Sequence, residues 1–153
     1  YELAIRMPLE SEQILRTQRA RIDDPDRLRQ FDFISRAAVS DTARLDTLFN
    51  SLLAAENRRI EPWTTAVIRY LNHPLREDQS VKYIRPGLEV LEEVQRTGDI
   101  FFPKNWAAAL LGNHLSSSAY EEVVRFLNER PDYSPLLKNK ILQAAYPLYR
   151  ANN

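Results

Sequence analysis

The stretch Gly98-Asp99-Ile100-Phe101-Phe102-Pro103-Lys104-Asn105-Trp106 joins two helical patterns and indicates the type of fold. Gly98 follows one periodic segment, as the residue just past a helix C-terminus often does. Pro103 suits the first turn of the next helix, where its missing N–H would have had no partner. With Pro103 at the first helical position, the spacing predicts a hydrophobic staple between Phe101 and Trp106. We therefore expect the aromatic residues to be a packed joint between two helices.

Prolines and capping residues divide the rest of the chain in the same way. The sequence has nine prolines and three glycines. Asp24 and Ser134 each precede a proline and an apolar pattern of helical period, and both are good N-caps. Pro147 lies inside the last pattern and is expected to kink that helix. These signals predict about eight helices, near residues 8–21, 25–38, 41–55, 61–72, 78–97, 103–111, 118–129 and 135–150.

The sequence predicts an all-α protein, since no β-branched run alternates with polar residues and no Asn-Gly or Asp-Gly turn occurs. The connections are short, so consecutive helices are expected to be antiparallel neighbours. The motif Val67–Asn72 is echoed by Val123–Asn128, and each is soon followed by proline. This echo favours helical hairpins stacked as a HEAT- or armadillo-like α-solenoid, with a compact superhelical bundle as the alternative. We expect residues 1–153 to form a single helical domain.

Charge and composition exclude several classes of function. The 153 residues include 21 basic and 21 acidic ones, so no net field points to nucleic acid as a partner. Six arginines fall between positions 16 and 36, but four aspartates are interspersed. This pattern favours a solvated helix face with charge pairs over a phosphate-binding patch. There is no cysteine, and no apolar run is long enough to span a membrane.

The sequence contains no recognisable catalytic or metal-binding motif. A zinc site of the His-Glu-x-x-His type needs two histidines one helical turn apart, and only His73 and His114 are present. Both follow helical patterns, so we expect both to cap C-terminal carbonyl groups. No glycine-rich phosphate loop and no glycine-flanked serine elbow occurs. We therefore predict no catalytic residue and no metal ligand in this chain.

One basic cluster is a candidate substrate-binding site. Lys82 and Arg85 flank an aromatic-aliphatic pair, and Lys104 lies beyond the next turn. Together they could hold a carboxylate, with the Arg85 guanidinium binding both of its oxygens. The alternative is that these residues pair with Glu89, Asp99 or solvent, as surface charges ordinarily do.

Three segments resemble the C-terminal helical region of bacterial zinc aminopeptidases of the aminopeptidase N family. The longest is SVKYIRPGLEVLEEVQRTGDIFFPKNWAAALLGNH, from Ser80 to His114. VVRFLNERPDYSPLLKNKILQAAYPLYRA, from Val123 to Ala151, and FISRAAVSD, from Phe33 to Asp41, are similar to other parts of the same region. The resemblance covers most of residues 20–151 and is strongest at KYIRP and TGDIFFPK.

The resemblance implies a non-catalytic domain that closes over the active-site cleft of a metallopeptidase and shapes substrate access. The zinc would be bound by the catalytic domain of the same polypeptide, and no cofactor by this chain. Its partners would be that domain and peptide substrates, and Lys82, Arg85 and Lys104 could contact a peptide C-terminal carboxylate. Tyr1 in place of methionine favours a piece of a longer polypeptide. The alternative function is a free-standing helical-repeat module that binds a protein or peptide in a concave groove.

Overall fold

The computed structural model describes residues 1–153, which form helices and connecting turns without strands. The all-α prediction is therefore confirmed. The twelve α-helices are α1 (Glu2–Arg6), α2 (Ser11–Arg19), α3 (Pro25–Ser35), α4 (Thr42–Leu52), α5 (Glu61–Leu71), α6 (Glu77–Ser80), α7 (Ile84–Glu89), α8 (Leu91–Thr97), α9 (Phe102–Leu111), α10 (Ser117–Asn128), α11 (Pro135–Ala144) and α12 (Tyr146–Asn152). Four short 3₁₀ segments cover Pro8–Glu10, Ala55–Asn57, Pro74–Arg76 and Val81–Tyr83.

The number of helices is higher than the predicted eight, chiefly because the fifth predicted helix is divided. Residues 78–97 form the end of α6, the 3₁₀ segment Val81–Tyr83, α7 and α8. Pro86 lies in α7 and has no N–H to donate to the carbonyl four residues earlier, and its ring crowds that carbonyl. Pro86 is therefore the physical reason why the helix predicted over residues 78–97 is broken before α7.

The predicted first and last helices are divided as well. α1 precedes the first predicted helix, and the 3₁₀ segment Pro8–Glu10 replaces that helix's first turn. At the other end, α11 stops at Ala144 and α12 starts at Tyr146, so Pro147 falls in the first turn of α12. The kink expected at Pro147 is thus a complete break between two helices.

Two of the predicted N-caps are confirmed by hydrogen bonds. The Asp24 carboxylate accepts the backbone N–H of Arg27 at 2.8 Å, at the start of α3. The Ser134 hydroxyl accepts the backbone N–H of Leu137 at 3.5 Å, at the start of α11. Each cap satisfies an N–H group that has no partner within its helix.

The chain divides into two compact units, Tyr1–Leu71 and Asn72–Asn153. In the first unit α3 packs against α5 and α2, and α4 packs against α5. Its core comprises buried side chains from α3, α4 and α5, among them Phe31, Phe49 and Ile68. The Tyr1 ring stacks on Phe31, with 5.3 Å between ring centroids, and so places the start of the chain against α3.

In the second unit α9 packs against α7, α8 and α11, while α10 packs against α7 and α12. Trp106 of α9 is completely buried, and its indole Nε1 donates a hydrogen bond to the Gly87 carbonyl at 2.9 Å. A Cβ atom on Gly87 would lie 2.7 Å from Cδ2 of Leu110. Glycine at position 87 therefore permits the close approach of α7 to α9.

The predicted staple between Phe101 and Trp106 is wrong. α9 begins at Phe102 rather than Pro103, and Phe102 packs edge-to-face on Trp106 with 5.9 Å between ring centroids. Phe102 is 2% exposed, whereas Phe101 is 67% exposed. The shift of one residue in the helix start exchanges the roles of the two phenylalanines.

Candidate functional site

Arg85, which the sequence predicts to bind a substrate carboxylate, already forms ion pairs with two carboxylates of the second unit. Its Nε lies 3.3 Å from Glu89 Oε1, one turn later in α7. Its Nη2 donates to Glu129, which follows α10 directly. The hydrogen bond to Glu129 raises the pKa of Arg85. The pairing with Glu89, predicted as the alternative to substrate binding, is thus present.

Glu89 and Glu129 belong to a wider surface network that includes Arg130. Arg130 Nη2 lies 3.4 Å from Glu89 Oε1, and its guanidinium carbon lies 4.3 Å from the Phe126 ring centroid. Alternating charges around α7 and the end of α10 therefore leave Arg85 between two negative neighbours. A peptide carboxylate would have to displace one of them to bind the guanidinium.

The two lysines of the predicted cluster are more exposed than Arg85. Lys82 lies in the 3₁₀ segment before α7, with Nζ 5.5 Å from the Tyr83 ring centroid. Lys104 lies in the first turn of α9 and forms no ion pair. α7, which carries Arg85, packs against α9, which carries Lys104. Lys104 is the member of the cluster whose charge is most available.

The turn between α8 and α9, residues 98–101, presents two apolar side chains to solvent. Ile100 is 78% exposed and Phe101 is 67% exposed. The Asp99 carboxylate accepts the backbone N–H of Phe101 at 2.9 Å, and its carbonyl accepts the N–H of Phe102 at 3.0 Å. These bonds fix the backbone while the side chains of Ile100 and Phe101 remain in solvent.

A buried polar cluster formed by Asn72, Glu77 and His114 was not predicted from the sequence. His114 is 1% exposed, and its Nε2 lies 2.9 Å from Asn72 Oδ1. Because that oxygen can only accept, the neutral ring carries its proton on Nε2. Its Nδ1 has no hydrogen-bond partner and lies 3.7 Å from Glu77 Oε1. Burial lowers the pKa of His114, although the Glu77 charge opposes this shift.

Glu77 connects this cluster to the segment before α10. Its Oε1 accepts the backbone N–H groups of Leu115 and Ser116, at 2.5 and 2.6 Å. Burial alone would raise the pKa of Glu77, but the bonds from Ser116 and Leu115 outweigh it and lower the pKa. Glu77 thus links the buried His114 side chain to the backbone that precedes α10.

The two histidines make different contacts, and for His114 the predicted cap on C-terminal carbonyl groups is wrong. His73 Nδ1 accepts the backbone N–H of Leu75 at 3.2 Å, and so caps the N-terminus of the 3₁₀ segment Pro74–Arg76. His114 contacts the side chains of Asn72 and Glu77. Pro74 starts a new 3₁₀ turn directly after His73. The first N–H groups of that turn have no partner within it, and the His73 ring accepts one of them.

No group of three or more histidine, cysteine, aspartate or glutamate residues is arranged to hold a metal ion. None of the helices has the length and apolar character needed to cross a membrane. Comparison with known protein families, curated proteins and solved structures found no match to this chain.

Proposed function

We propose that this chain is a non-catalytic helical domain of a zinc aminopeptidase. It would close over an active-site cleft formed by another part of the same polypeptide and restrict which peptides lose their N-terminal residues. The observation that carries the proposal is the resemblance of residues 80–114 to the C-terminal helical region of the aminopeptidase N family. The zinc would belong to the catalytic domain.

The packing of the second unit is consistent with that segment acting as one structural element. The two most similar stretches, KYIRP and TGDIFFPK, lie on either side of the contact between α7 and α9. Just beyond each stretch, Gly87 and Trp106 are joined by the indole hydrogen bond. The similar residues thus belong to one packed arrangement of α7, α8 and α9.

We further propose that the helices stack in two layers, as in HEAT- or armadillo-like repeats. In such repeats a helix packs against its neighbour in the chain and against the helix two positions along. Within the first unit, α3 packs against both α2 and α5. Within the second unit, α9 packs against α8 and α11, and α10 packs against α12. These pairs support the arrangement within each unit.

Lys104 is the residue that we expect to contact a peptide carboxylate in this proposal. Its ammonium group is exposed and forms no ion pair, so binding a carboxylate requires no prior separation of charges. Arg85 would first have to leave Glu89 or Glu129. Lys82 remains a second candidate contact.

The proposal is tested by expressing the complete reading frame that encodes this chain. We expect a His-Glu-x-x-His motif upstream of Tyr1, aminopeptidase activity that a zinc chelator removes, and no activity in residues 1–153 alone. Lys104→Ala should raise KM for short peptides about threefold, the effect of losing one exposed ion pair. Lys138→Ala, an exposed control on α11, should leave KM unchanged.

Two results would contradict this function, and a third would contradict the role of Lys104. A reading frame without the zinc motif would favour the free-standing peptide-binding module instead. Robust peptidase activity of residues 1–153 alone would place the catalytic centre within this chain. Equal KM values for wild type and Lys104→Ala would remove Lys104 from the substrate contacts.

A further inference from the structure

The first unit contains a groove between α2, α3 and α4 that is lined by arginines. Arg16 and Arg19 come from α2, Arg36 follows α3, and Arg44 comes from α4. The groove has a volume of about 220 Å³. Glu12 is the only acidic residue among those that line it, so its wall carries an excess of positive charge.

Two of the arginines are held in place by carboxylates. Arg19 binds Asp32 through two parallel hydrogen bonds, Nε to Oδ1 at 2.7 Å and Nη2 to Oδ2 at 2.9 Å. Arg44 Nη1 binds Glu12 Oε1 at 2.5 Å, which links α4 to α2. Such pairs contribute little to stability at the surface, but they orient the guanidinium groups that form the walls.

The other two arginines, Arg16 and Arg36, are exposed and form no ion pair. Arg36 has its guanidinium carbon 6.0 Å from the Phe33 ring centroid, a distance that leaves its N–H groups available to a ligand. A guanidinium presents several donors in a planar fork that matches a carboxylate. The groove therefore offers two unpaired cations beside two that are already fixed.

The floor of the groove is apolar. It is formed by Leu15, Phe31 and Val39, which are 8%, 7% and 3% exposed. A site for a free inorganic anion has no need of this surface, whereas an apolar side chain of a ligand would gain modestly from covering the part that these residues still expose. An apolar floor and a cationic wall together suit a peptide segment that carries both apolar and acidic side chains.

A second depression extends the same surface along α4. It has a volume of about 330 Å³ and shares Arg36 and Arg44 with the first groove. Asp41 also lines it, so negative charge occurs at this end of the surface. The length and the mixed charge favour a chain of several residues over a single ion and disfavour the uniformly negative backbone of a nucleic acid.

We propose that this arginine groove binds an acidic peptide segment, with carboxylates on Arg16 and Arg36 and an apolar side chain on the floor. Charge complementarity selects this occupant, because the unpaired groups in the groove are cationic. The proposal concerns residues 1–71 and does not depend on the aminopeptidase assignment.

The test is a fluorescence anisotropy titration of residues 1–153 with a labelled peptide that alternates glutamate and leucine. The comparison peptide replaces each glutamate with glutamine. The variant Arg16→Gln/Arg36→Gln should weaken binding about tenfold, since it removes two charge-assisted hydrogen-bonding groups at an exposed site. The control Arg27→Gln/Arg59→Gln removes the same charge from exposed positions that do not line the groove.

Saturable binding that falls with added salt, weakens in the groove variant and persists in the control would support the proposal. Equal binding of the glutamine peptide, or equal losses in both double variants, would overturn it. Preferential binding of a single-stranded oligouridylate at the groove would overturn it in favour of nucleic acid. Complete displacement of the peptide by an equal concentration of inorganic phosphate would reduce the groove to a simple anion site. Circular dichroism of each variant verifies that the helices are retained.

Discussion

Replacing Trp106 with phenylalanine tests the packing of α9 against α7. The indole is completely buried and donates its N–H to the Gly87 carbonyl at 2.9 Å. Phenylalanine would keep a ring that can meet the edge of Phe102. It would remove the hydrogen-bond donor and part of the ring volume.

The two losses can be estimated separately. A buried carbonyl left without its partner costs about 1–3 kcal/mol. The smaller ring loses about 1 kcal/mol of apolar burial and leaves a gap that its neighbours fill only in part. We therefore expect Trp106→Phe to lower the free energy of unfolding by about 2–4 kcal/mol.

The measurement is urea denaturation followed by far-ultraviolet circular dichroism, which does not depend on the fluorophore that is removed. The matched control is Trp63→Phe. Trp63 is partly exposed, packs on Phe33 with 5.8 Å between ring centroids and makes no hydrogen bond through its indole. We expect the control to lose less than about 1 kcal/mol. Equal losses for the two variants would refute the role assigned to the Trp106 hydrogen bond.

Further predictions concern Gly87 and the buried cluster. In Gly87→Ala, overlap with Leu110 should cost about 1–3 kcal/mol and helix propensity should return about 1 kcal/mol, so we expect a net destabilisation of up to about 2 kcal/mol in urea denaturation. A variant more stable than wild type would contradict the close approach. Burial lowers the pKa of His114, so the unfolded chain binds this proton first and stability should fall as the pH drops below 6.5. In urea midpoints measured against pH, His114→Gln should flatten that part of the profile. Burial would raise the pKa of Glu77, but backbone hydrogen bonds lower it. The contribution of Glu77 to the free energy of unfolding should therefore be lost as the pH falls below 4.5. Glu77→Gln should flatten this lower part, and a profile identical to wild type would contradict the assignment.

The features that local sequence could predict were helix type and many helix ends. Asp24 and Ser134 act within three residues of themselves, so their role as caps is readable from the sequence. α1 is only five residues long, too short for a clear periodic pattern. The 3₁₀ turn Val81–Tyr83 depends on Pro86, which follows it. The apolar residues of segment 78–97 recur at helical spacing, and this pattern favoured one continuous helix.

The candidate site was harder to predict because it depends on contacts between distant residues. The pair of Arg85 with Glu89 is one helical turn apart and could be anticipated, but Glu129 reaches Arg85 only through the packing of α10 on α7. His114 meets Asn72 and Glu77 only after the chain has folded. No spacing in the sequence indicates either contact.

The burial of Trp106 also has a spectroscopic consequence. The chain has two tryptophans, and one lies in each compact unit, Trp63 in the first and Trp106 in the second. Trp106 emits from a dry environment and Trp63 from a partly hydrated one, so their fluorescence maxima should differ. Variants that retain a single tryptophan would therefore report the unfolding of each unit without any added label.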